Sequence, residues 1–589
     1  MKNINRILIM LAFVGCITAC NDELDVQNPN NQTTYEFGNT ESELQEAVIA
    51  CYNRIRLEGT FARVGYTLDA VRGDEVWNSS QQWYLEYDNL NSPGTIEIGD
   101  MWPWRDNYHV VNRTNFVLSK VDVVKMSETS YNQIAGQALF LRSLAYYNLA
   151  TYYQTVPLIT DYASYSDINT MYAANNTQDE VFDQIEADLT KAMQILPSRD
   201  KGGEWAKGRA TSGAAAGYLA RTLMFRHKYA EAYVVLKDII AGKYGHYELT
   251  ADYGDNFREN TENNIESLFE VQFLDFGTGG TDEEWTPVNI SSQATQGHAV
   301  ESNYASQALG SWGDLAGSPW LYNLFRKENS TDGRLDPRLY WTLATYENEY
   351  NSYTGAKTAA YPNGDPRSNT IYKQDLTATP LSNNAQGGIS IAKFTNARNN
   401  IYSSITNGLH CGVNLRLMRY SDVLLRAAEC ENELNGPTQT AIDYINIVRR
   451  RVALKDLKVS DFPTADALFE QIANIERPKE FGCENGRGID LLRWGFFYST
   501  DRLNQLVEHA YYKLAPKDAA GNIIASTEEL TAGTASASSF QYYYKGHEYF
   551  PIYQSTLNAN PNLTGNSANK NEDNGPAFTA KWTVRPVVK

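Results

Sequence analysis

Four tryptophans of this chain lie in polar segments, where few neighbouring apolar residues could form a hydrophobic core around them. Gly, Ser, Asn or acidic residues surround each of them: Trp77, Trp83, Trp285 and Trp312. An indole ring covers the apolar C–H face of a sugar ring, and one such stack contributes on the order of 1 kcal/mol. Because several modest contacts must add up, the pattern favours an extended glycan as the ligand.

Polar side chains near the first two tryptophans could bond the hydroxyl groups of such a ligand. Arg72, Asp74 and Asn78 are the candidates for these hydrogen bonds, and Tyr84 is a candidate for a further ring contact. For any single tryptophan, an anchor that packs a loop against the scaffold is an equally good interpretation. The prediction of a glycan-binding surface therefore depends on the whole group of rings.

The sequence lacks the common catalytic signatures. It has no P-loop, no HExxH or GxSxG motif, and no GxGxxG between a strand and a helix. Its histidines are scattered and none has metal-ligand spacing: His109, His227, His246, His298, His410, His509 and His547. We predict no catalytic residue, no metal site and no cofactor, while a Ca²⁺ ion that braces a loop stays an open alternative. A glycoside hydrolase needs two suitably spaced carboxylates. Since the chain has 70 acidic residues, hydrolysis stays an open alternative.

A dense run of charged residues near the C-terminal third invites an acid–base interpretation. Its members alternate in sign at helical spacing: Glu476, Arg477, Glu480, Arg487, Asp490 and Arg493. Such a pattern more often forms ion pairs that hold helices in register. We predict this structural role for the run, and likewise for Arg142 and Asp422.

Helices dominate the predicted scaffold. Apolar residues at steps of three and four predict helices over 41–57, 106–125, 132–153, 179–196, 211–225, 229–241, 415–434, 440–452 and 465–481. The pairs 211–225 with 229–241 and 415–434 with 440–452 are typical of tetratricopeptide hairpins. The fold class is therefore mainly α, with a helical scaffold mainly over 41–57, 106–250 and 410–500. Residues 66–105 and 250–400 are predicted to be loop-rich, with short strands, and to face the ligand.

The N-terminus predicts export. Basic residues precede a short apolar run, and small residues lead to Cys20. We interpret residues 1–19 as a lipoprotein signal peptide and Cys20 as the lipidated first residue of the mature chain. An ordinary secretory signal with an incidental cysteine is the alternative. The run from Ile7 to Ile17 is too short for a membrane-spanning helix.

Composition excludes several classes of protein. The 589 residues include 51 Lys and Arg against 70 Asp and Glu, a formal net charge of -19. Such a surface repels phosphate backbones, so no nucleic-acid partner is expected. The hydrophobic content of 42% excludes a generic disordered chain. Beyond the signal, we expect buried thiols at four cysteines: Cys51, Cys411, Cys430 and Cys483.

Segments distributed over nearly the whole chain resemble the SusD/RagB family of Bacteroidetes outer-membrane nutrient-uptake lipoproteins. They are Trp104-x-x-x-Tyr108 with Asn112 and Asn115, residues 138–147 leading to Val156-Pro157-Leu158-Ile159, residues 208–211, residues 419–425 with Ala428-Glu429, Ile445-Asn446-x-x-Arg449, Glu476-Arg477-x-x-Glu480-Phe481-x-x-Glu484 leading to Arg487-x-x-Asp490-Leu491-x-Arg493-Trp494, Phe550-Pro551-Ile552, and residues 560–563. The family usually has Gly directly after the third Glu of the long motif, whereas this chain has Asn485 there, followed by Gly486.

The resemblance implies one domain over residues 20–589 in a lipoprotein anchored at Cys20 to the outer membrane and facing the cell exterior. It implies a non-catalytic protein that captures oligosaccharides and delivers them to a SusC-like TonB-dependent transporter. Peptide capture, known from the RagB side of the family, stays open. A structural adaptor that binds only the transporter is a further alternative.

Overall fold

The computed structural model describes residues 37–78, 81–165, 167, 170–274, 297–305, 311–343, 345–346, 373–374, 389–395, 411–484, 486–510, 540, 543–570, 575–576 and 580–588. Trp285, Cys20 and the whole of the predicted signal peptide lie outside these residues. Among the helices of the described ranges, none combines the length and the apolar character that crossing a bilayer requires.

Helices form most of the described chain. Its first half contains α1 (Glu41–Arg54), α2 (Val64–Val71), β1 (Val76–Asn78), α3 (Gln82–Asp88), α4 (Trp102–Val121), α5 (Glu128–Tyr153), α6 (Gln178–Ile195), α7 (Arg199–Gly202), α8 (Ser212–Phe225), α9 (Tyr229–Ile240) and β2 (Ser267–Val271). The second half contains α10 (Val300–Tyr304), β3 (Leu315–Gly317), α11 (Pro319–Arg326), α12 (Arg338–Thr342), β4 (Thr345–Tyr346), β5 (Lys373–Gln374), β6 (Leu415–Arg419), α13 (Tyr420–Asn435), α14 (Gln439–Arg451), α15 (Ala465–Gln471), α16 (Arg477–Phe481), α17 (Arg487–Arg493), α18 (Thr500–Ala510) and α19 (Gln554–Ala559).

Local sequence explains where the scaffold helices begin. The hydroxyl of Thr40 accepts from the backbone N–H of Glu43 at the start of α1, and the Glu43 carboxylate accepts from the Thr40 backbone N–H in return. Thr177 and Glu180 repeat this capping box at the start of α6. Each pair satisfies backbone donors that a helix N-terminus leaves without partners. Most of the predicted helices form within a few residues of their expected bounds, whereas the helix predicted over 465–481 is interrupted by a π-helical turn at Ile472–Glu476 between α15 and α16.

The scaffold helices stack in chain order. Helix α5 packs between α4 and α6, α6 packs on α8, α8 on α9, α9 on α13, and α13 on α14. A Cβ at Gly217 of α8 would lie 2.6 Å from the Met418 sulfur, so the missing side chain lets β6 approach this helix closely. Consecutive packing of antiparallel hairpins is the tetratricopeptide arrangement, and the mainly α fold is confirmed.

Residues 415–419 differ from the prediction, which assigned them to a helix. They form β6, which pairs antiparallel with β2, for example Arg416 opposite Glu270. All five residues of β6 are buried, and a buried run this short carries no periodicity that separates strand from helix. The pairing with a distant strand decides the backbone conformation here.

The predicted loop-rich segment 66–105 also contains helices. Every residue of α2 is buried, so its sequence lacks the polar face that marks an amphipathic helix. Helix α3 and the start of α4 follow within the same segment. The segment is a tightly packed part of the core, with β1 as its short strand.

Buried aromatic rings and thiols fill the interior. Trp104 and Trp494, which belong to the family-like segments, are both buried. The four cysteines outside the predicted signal are buried as thiols, also as expected: Cys51, Cys411, Cys430 and Cys483.

The predicted ion-pair network is present between β6, α13, α16 and α17. Arg477 binds Asp422 at 2.7 Å and Asp490 at 2.6 Å, and Arg493 binds Asp490 at 2.7 Å and Glu429 at 2.5 Å. The remaining members pair as follows: Glu476 with Arg449, Glu480 with Arg338, Arg419 and Arg451, and Arg487 with Asp74. Because these groups are buried and partnered, they hold helices together, as does the Arg142–Asp188 pair at 2.7 Å between α5 and α6.

Candidate functional site

A small antiparallel ladder carries the first of the predicted ligand-binding rings. In β1, Trp77 lies opposite Ala316 of β3, and Asn78 lies opposite Leu315. Side chains alternate along a strand, and here Val76 is fully buried while the Trp77 ring is half-buried. Val76 therefore lies on the face of the ladder that packs on the core, and Trp77 lies on the opposite face.

The turn after β1 brings in the second ring. The side-chain oxygen of Asn78 accepts from the Gln81 backbone N–H at 3.1 Å, directly before α3. Trp83 of α3 is half-buried, and its ring stacks on Tyr84 with 3.7 Å between centroids. One face of the Trp83 indole is therefore covered by a buried residue of the scaffold.

Helix α10 connects the second ring to the third. The Tyr84 hydroxyl accepts from the side-chain amide of Asn303 at 2.8 Å. The neighbouring Ser302 carbonyl accepts from the backbone N–H of Trp312 at 2.8 Å. Since Trp312 leads directly into β3, the structure brings Trp77, Trp83 and Trp312 onto elements that contact one another. We call these three rings, with their ladder and α10, the tryptophan face.

The Trp312 ring is held by a buried cation. The Arg63 guanidinium carbon lies 5.3 Å from the centre of the Trp312 ring and 5.9 Å from the centre of the Trp102 ring. Glu58 binds Arg63, with 3.1 Å between the Arg63 Nε and the carboxylate. A guanidinium that stacks on two indoles and is tied by a carboxylate restricts the orientation of both rings.

Burial sets the electrostatics beneath this face. Desolvation raises the pKa of Glu58, and the Arg63 charge opposes that rise. One carboxylate oxygen of Glu58, Oε1, is buried and has no hydrogen-bond partner among the residues that the structure describes. Burial likewise raises the pKa of the Tyr84 phenol, so this group stays neutral. The described part of the face thus combines flat apolar rings with a single tightly paired cation.

Three of the predicted contact residues are buried instead. Tyr84 is 0% exposed, and its hydroxyl shares a hydrogen bond of 2.6 Å with Thr67. Arg72 donates to the His547 carbonyl at 2.9 Å and stacks on Phe550, 4.4 Å from the ring centre. Burial leaves both side chains no surface for a ligand, so the expectation of direct contact does not hold for them.

Asp74 is the third of these residues, and it belongs to the charged interior. It accepts two hydrogen bonds from Arg487, at 2.7 and 2.9 Å, and lies 2.6 Å from the Nδ1 atom of His509. The Arg487 charge and these hydrogen bonds outweigh desolvation and hold the pKa of Asp74 well below its ordinary value. Asp74 is a buried support for the strand that carries Trp77.

Sequence reasoning missed Glu58, Arg63 and Trp102. Arg63 lies between two short helical segments, in a run without motif or periodicity. The one available signal was an acidic residue, Glu58, five positions before a basic one, Arg63. Side chains of an α-helix meet at spacings of three or four, so a spacing of five does not predict their ion pair. Trp285, the fourth predicted ring, lies outside the described residues. Within the described ranges, no group of His, Cys, Asp and Glu is arranged to hold a metal ion.

Comparisons with known proteins agree with this architecture. A family model described as "SusD family" matches residues 265–568, and one described as "Starch-binding associating with outer membrane" matches residues 22–224. SusD-like protein P2 of Formosa agariphila is 24% identical over 507 residues, which cover 83% of this chain and 90% of that protein.

Solved structures share the fold. A SusD homolog from Bacteroides thetaiotaomicron has a TM-score of 0.69 at 20% identity, covering 90% of this chain and 98% of its own. Surface glycan-binding protein A from the same species, in complex with laminarihexaose, has a TM-score of 0.62 at 21% identity and covers 90% and 100%. With one family model spanning more than half of its residues, the chain belongs to the SusD family.

Proposed function

We propose that this protein captures oligosaccharides outside the cell and delivers them to a SusC-like TonB-dependent transporter in the outer membrane. The observation that carries the proposal is the tryptophan face, where Trp77, Trp83 and Trp312 lie on contacting elements. Flat half-buried rings on contacting elements, with Trp77 in the ladder itself, suit the C–H faces of successive sugar units.

Two relatives support a glycan as the ligand. Surface glycan-binding protein A is solved in complex with laminarihexaose, and another structure with the same fold is named a laminarin-binding SusD-like protein. We expect a modest affinity, between micromolar and millimolar, or about -8 to -4 kcal/mol. A tighter complex would slow release into the transporter.

Calorimetry tests the proposal. A panel of oligosaccharides, including laminarihexaose, is titrated into the wild-type protein and into a Trp77→Ala/Trp312→Ala variant. We expect binding to the wild type and roughly a tenfold to thirtyfold loss in the variant, because two stacks of about 1 kcal/mol are removed. Trp205→Ala is the matched control, since Trp205 is also half-buried and stacked by an arginine, Arg209 at 5.6 Å, but lies beside α7.

The same panel separates the other candidate functions. Binding of peptides in place of oligosaccharides would assign the RagB-like alternative. Shorter products after prolonged incubation with a glycan would show hydrolysis. A protein that binds the transporter but none of these ligands would be an adaptor.

Anchoring and partnership have their own tests. We propose that Cys20 is lipidated and that the chain has no nucleic-acid partner. Cys20→Ser should release the protein from the membrane fraction of the cell. Affinity purification of the wild-type lipoprotein from detergent-solubilised outer membranes should recover a TonB-dependent transporter, and its absence would argue against the partnership.

A further inference from the structure

A cavity inside the protein is lined mostly by charged side chains. It lies between β6, α8, α13 and α17 and has a volume of about 30 Å³. The cavity has room for one or two water molecules or a monatomic ion, but it is too small for a sugar. Six arginines line it: Arg221, Arg416, Arg419, Arg426, Arg477 and Arg487.

Five of these arginines have carboxylate partners. The partners are Glu270 for Arg416 at 3.1 Å, Glu266 for Arg419 at 2.8 Å, Asp422 for Arg426 at 2.8 Å, Asp490 for Arg477 at 2.6 Å, and Asp74 for Arg487 at 2.7 Å. The positive charge of each of these five is thereby compensated inside the protein.

Arg221 is the exception. It lies on α8 and is 5% exposed, and its guanidinium stacks on Tyr147 and Tyr218 at 5.3 and 5.7 Å from the ring centres. In the part of the chain that the structure describes, its buried Nε has no acceptor and no carboxylate forms an ion pair with it. Asp69, Asp422 and Asp490 attract this guanidinium without touching it. Because burial makes a charge costly unless it is closely paired, a counter-ion in contact with Arg221 would stabilise it further.

The nearest carboxylates are already engaged. Asp422 binds both Arg426 and Arg477, and Asp490 binds both Arg477 and Arg493. Asp69 accepts from the backbone N–H groups of Gly486 and Ile489, and burial raises its pKa to about 6. None of the three is in ion-pair contact with Arg221.

Two further lining groups suit a negative guest. Burial raises the pKa of Glu75 to about 8, so near neutral pH this carboxyl carries a proton that it can donate. Gly486 has φ +140°, and a Cβ at this position would lie 3.3 Å from the Arg221 Nη2 atom. The absence of that side chain keeps the space beside the guanidinium open.

We propose that this cavity binds one small monovalent anion, chloride under natural conditions, with Arg221 as its principal ligand. A monovalent anion supplies the ion-pair contact that Arg221 lacks among the described residues, where Asp69, Asp422 and Asp490 attract it only from longer range. A water molecule accepts the hydrogen bonds without supplying a charged contact, and a polyatomic anion exceeds the volume. The anion thus has a structural role in the scaffold, separate from the tryptophan face.

Stability measurements at varied chloride test the proposal. Urea unfolding is followed at constant ionic strength while chloride replaces gluconate, which is too large for the cavity. Once chloride exceeds its Kd, each tenfold increase should raise the folding equilibrium constant tenfold, because one ion binds only the folded state. In Arg221→Met this dependence should vanish. Arg226→Met should keep it, because Arg226 is paired with Asp183 and Glu186 outside the cavity.

Crystals of the wild-type protein grown in bromide give a second measurement that needs no variant. Anomalous scattering should place one bromide in the cavity, within hydrogen-bond distance of Arg221. A water molecule at that position, or stability that does not change with halide, would overturn the proposal. A chloride dependence that persists in Arg221→Met would also overturn it.

Discussion

The Arg63 guanidinium lies over the Trp312 ring, 5.3 Å from its centre, while its charge is paired with Glu58. The same guanidinium also faces Trp102, 5.9 Å from the ring centre. The contact links a half-buried ring of the tryptophan face to a fully packed ring of the scaffold. The orientation of Trp312 is therefore set by side chains more than 200 positions away in the sequence.

Arg63→Lys should weaken oligosaccharide binding about threefold to tenfold. An ammonium can still pair with Glu58, but it lacks the planar guanidinium that faces both indoles, so the restraint on Trp312 is weakened. Calorimetry measures the affinity. Arg209→Lys, at the Trp205 stack, is the control and should leave it unchanged. Equal affinities for wild type and Arg63→Lys would show that Arg63 does not restrain Trp312 for ligand binding.

Tyr84→Phe should destabilise the protein by about 1–3 kcal/mol and leave glycan affinity within twofold of wild type. The change removes the hydroxyl that accepts from Asn303 at 2.8 Å and pairs with Thr67 at 2.6 Å, so buried polar groups lose their partner. The ring that supports Trp83 stays in place. Urea unfolding and calorimetry together check this prediction, and a large loss of affinity would place Tyr84 in contact with the ligand.

Asp74→Asn should destabilise the protein by about 3–5 kcal/mol, because Arg487 then lacks a buried counter-charge. Asp332→Asn is the matched control. Asp332 pairs with Arg334 at 2.6 Å near the surface, with 44% of its side chain exposed, and such pairs contribute about 0–1 kcal/mol. The difference between the two unfolding free energies is the measurement. Similar small losses for both variants would contradict the structural role of Asp74.

Glu75→Gln should change how stability depends on pH. Burial raises the pKa of Glu75 from 4.5 to about 8, so between these values the folded protein keeps a proton that the unfolded chain has released. This carboxyl therefore lowers the free energy of unfolding as pH rises through that window. The variant should match the wild type near pH 4 and exceed it by several kcal/mol, on the order of 5, near pH 9. If the free energies of unfolding of the two proteins changed in parallel with pH, the raised pKa of Glu75 would be contradicted.

The sequence alone determined the helical scaffold. Caps such as Thr40 with Glu43 act over three residues, and apolar periodicity acts over one or two turns, so both are visible without knowledge of the fold. The charged run from Glu476 to Arg493 was likewise recognisable as structural, because alternating charges at helical spacing predict ion pairs. The family resemblance rested on the same local motifs.

Only the tertiary structure decided which polar residues of the candidate site face outward. Asp74 and Arg487 are 413 positions apart, and nothing near Asp74 in the sequence distinguishes a ligand contact from a buried ion pair. The same holds for Tyr84, whose partner Asn303 lies 219 positions away. Burial and charge compensation depend on what packs against a side chain, and those neighbours come together only when distant segments fold onto each other.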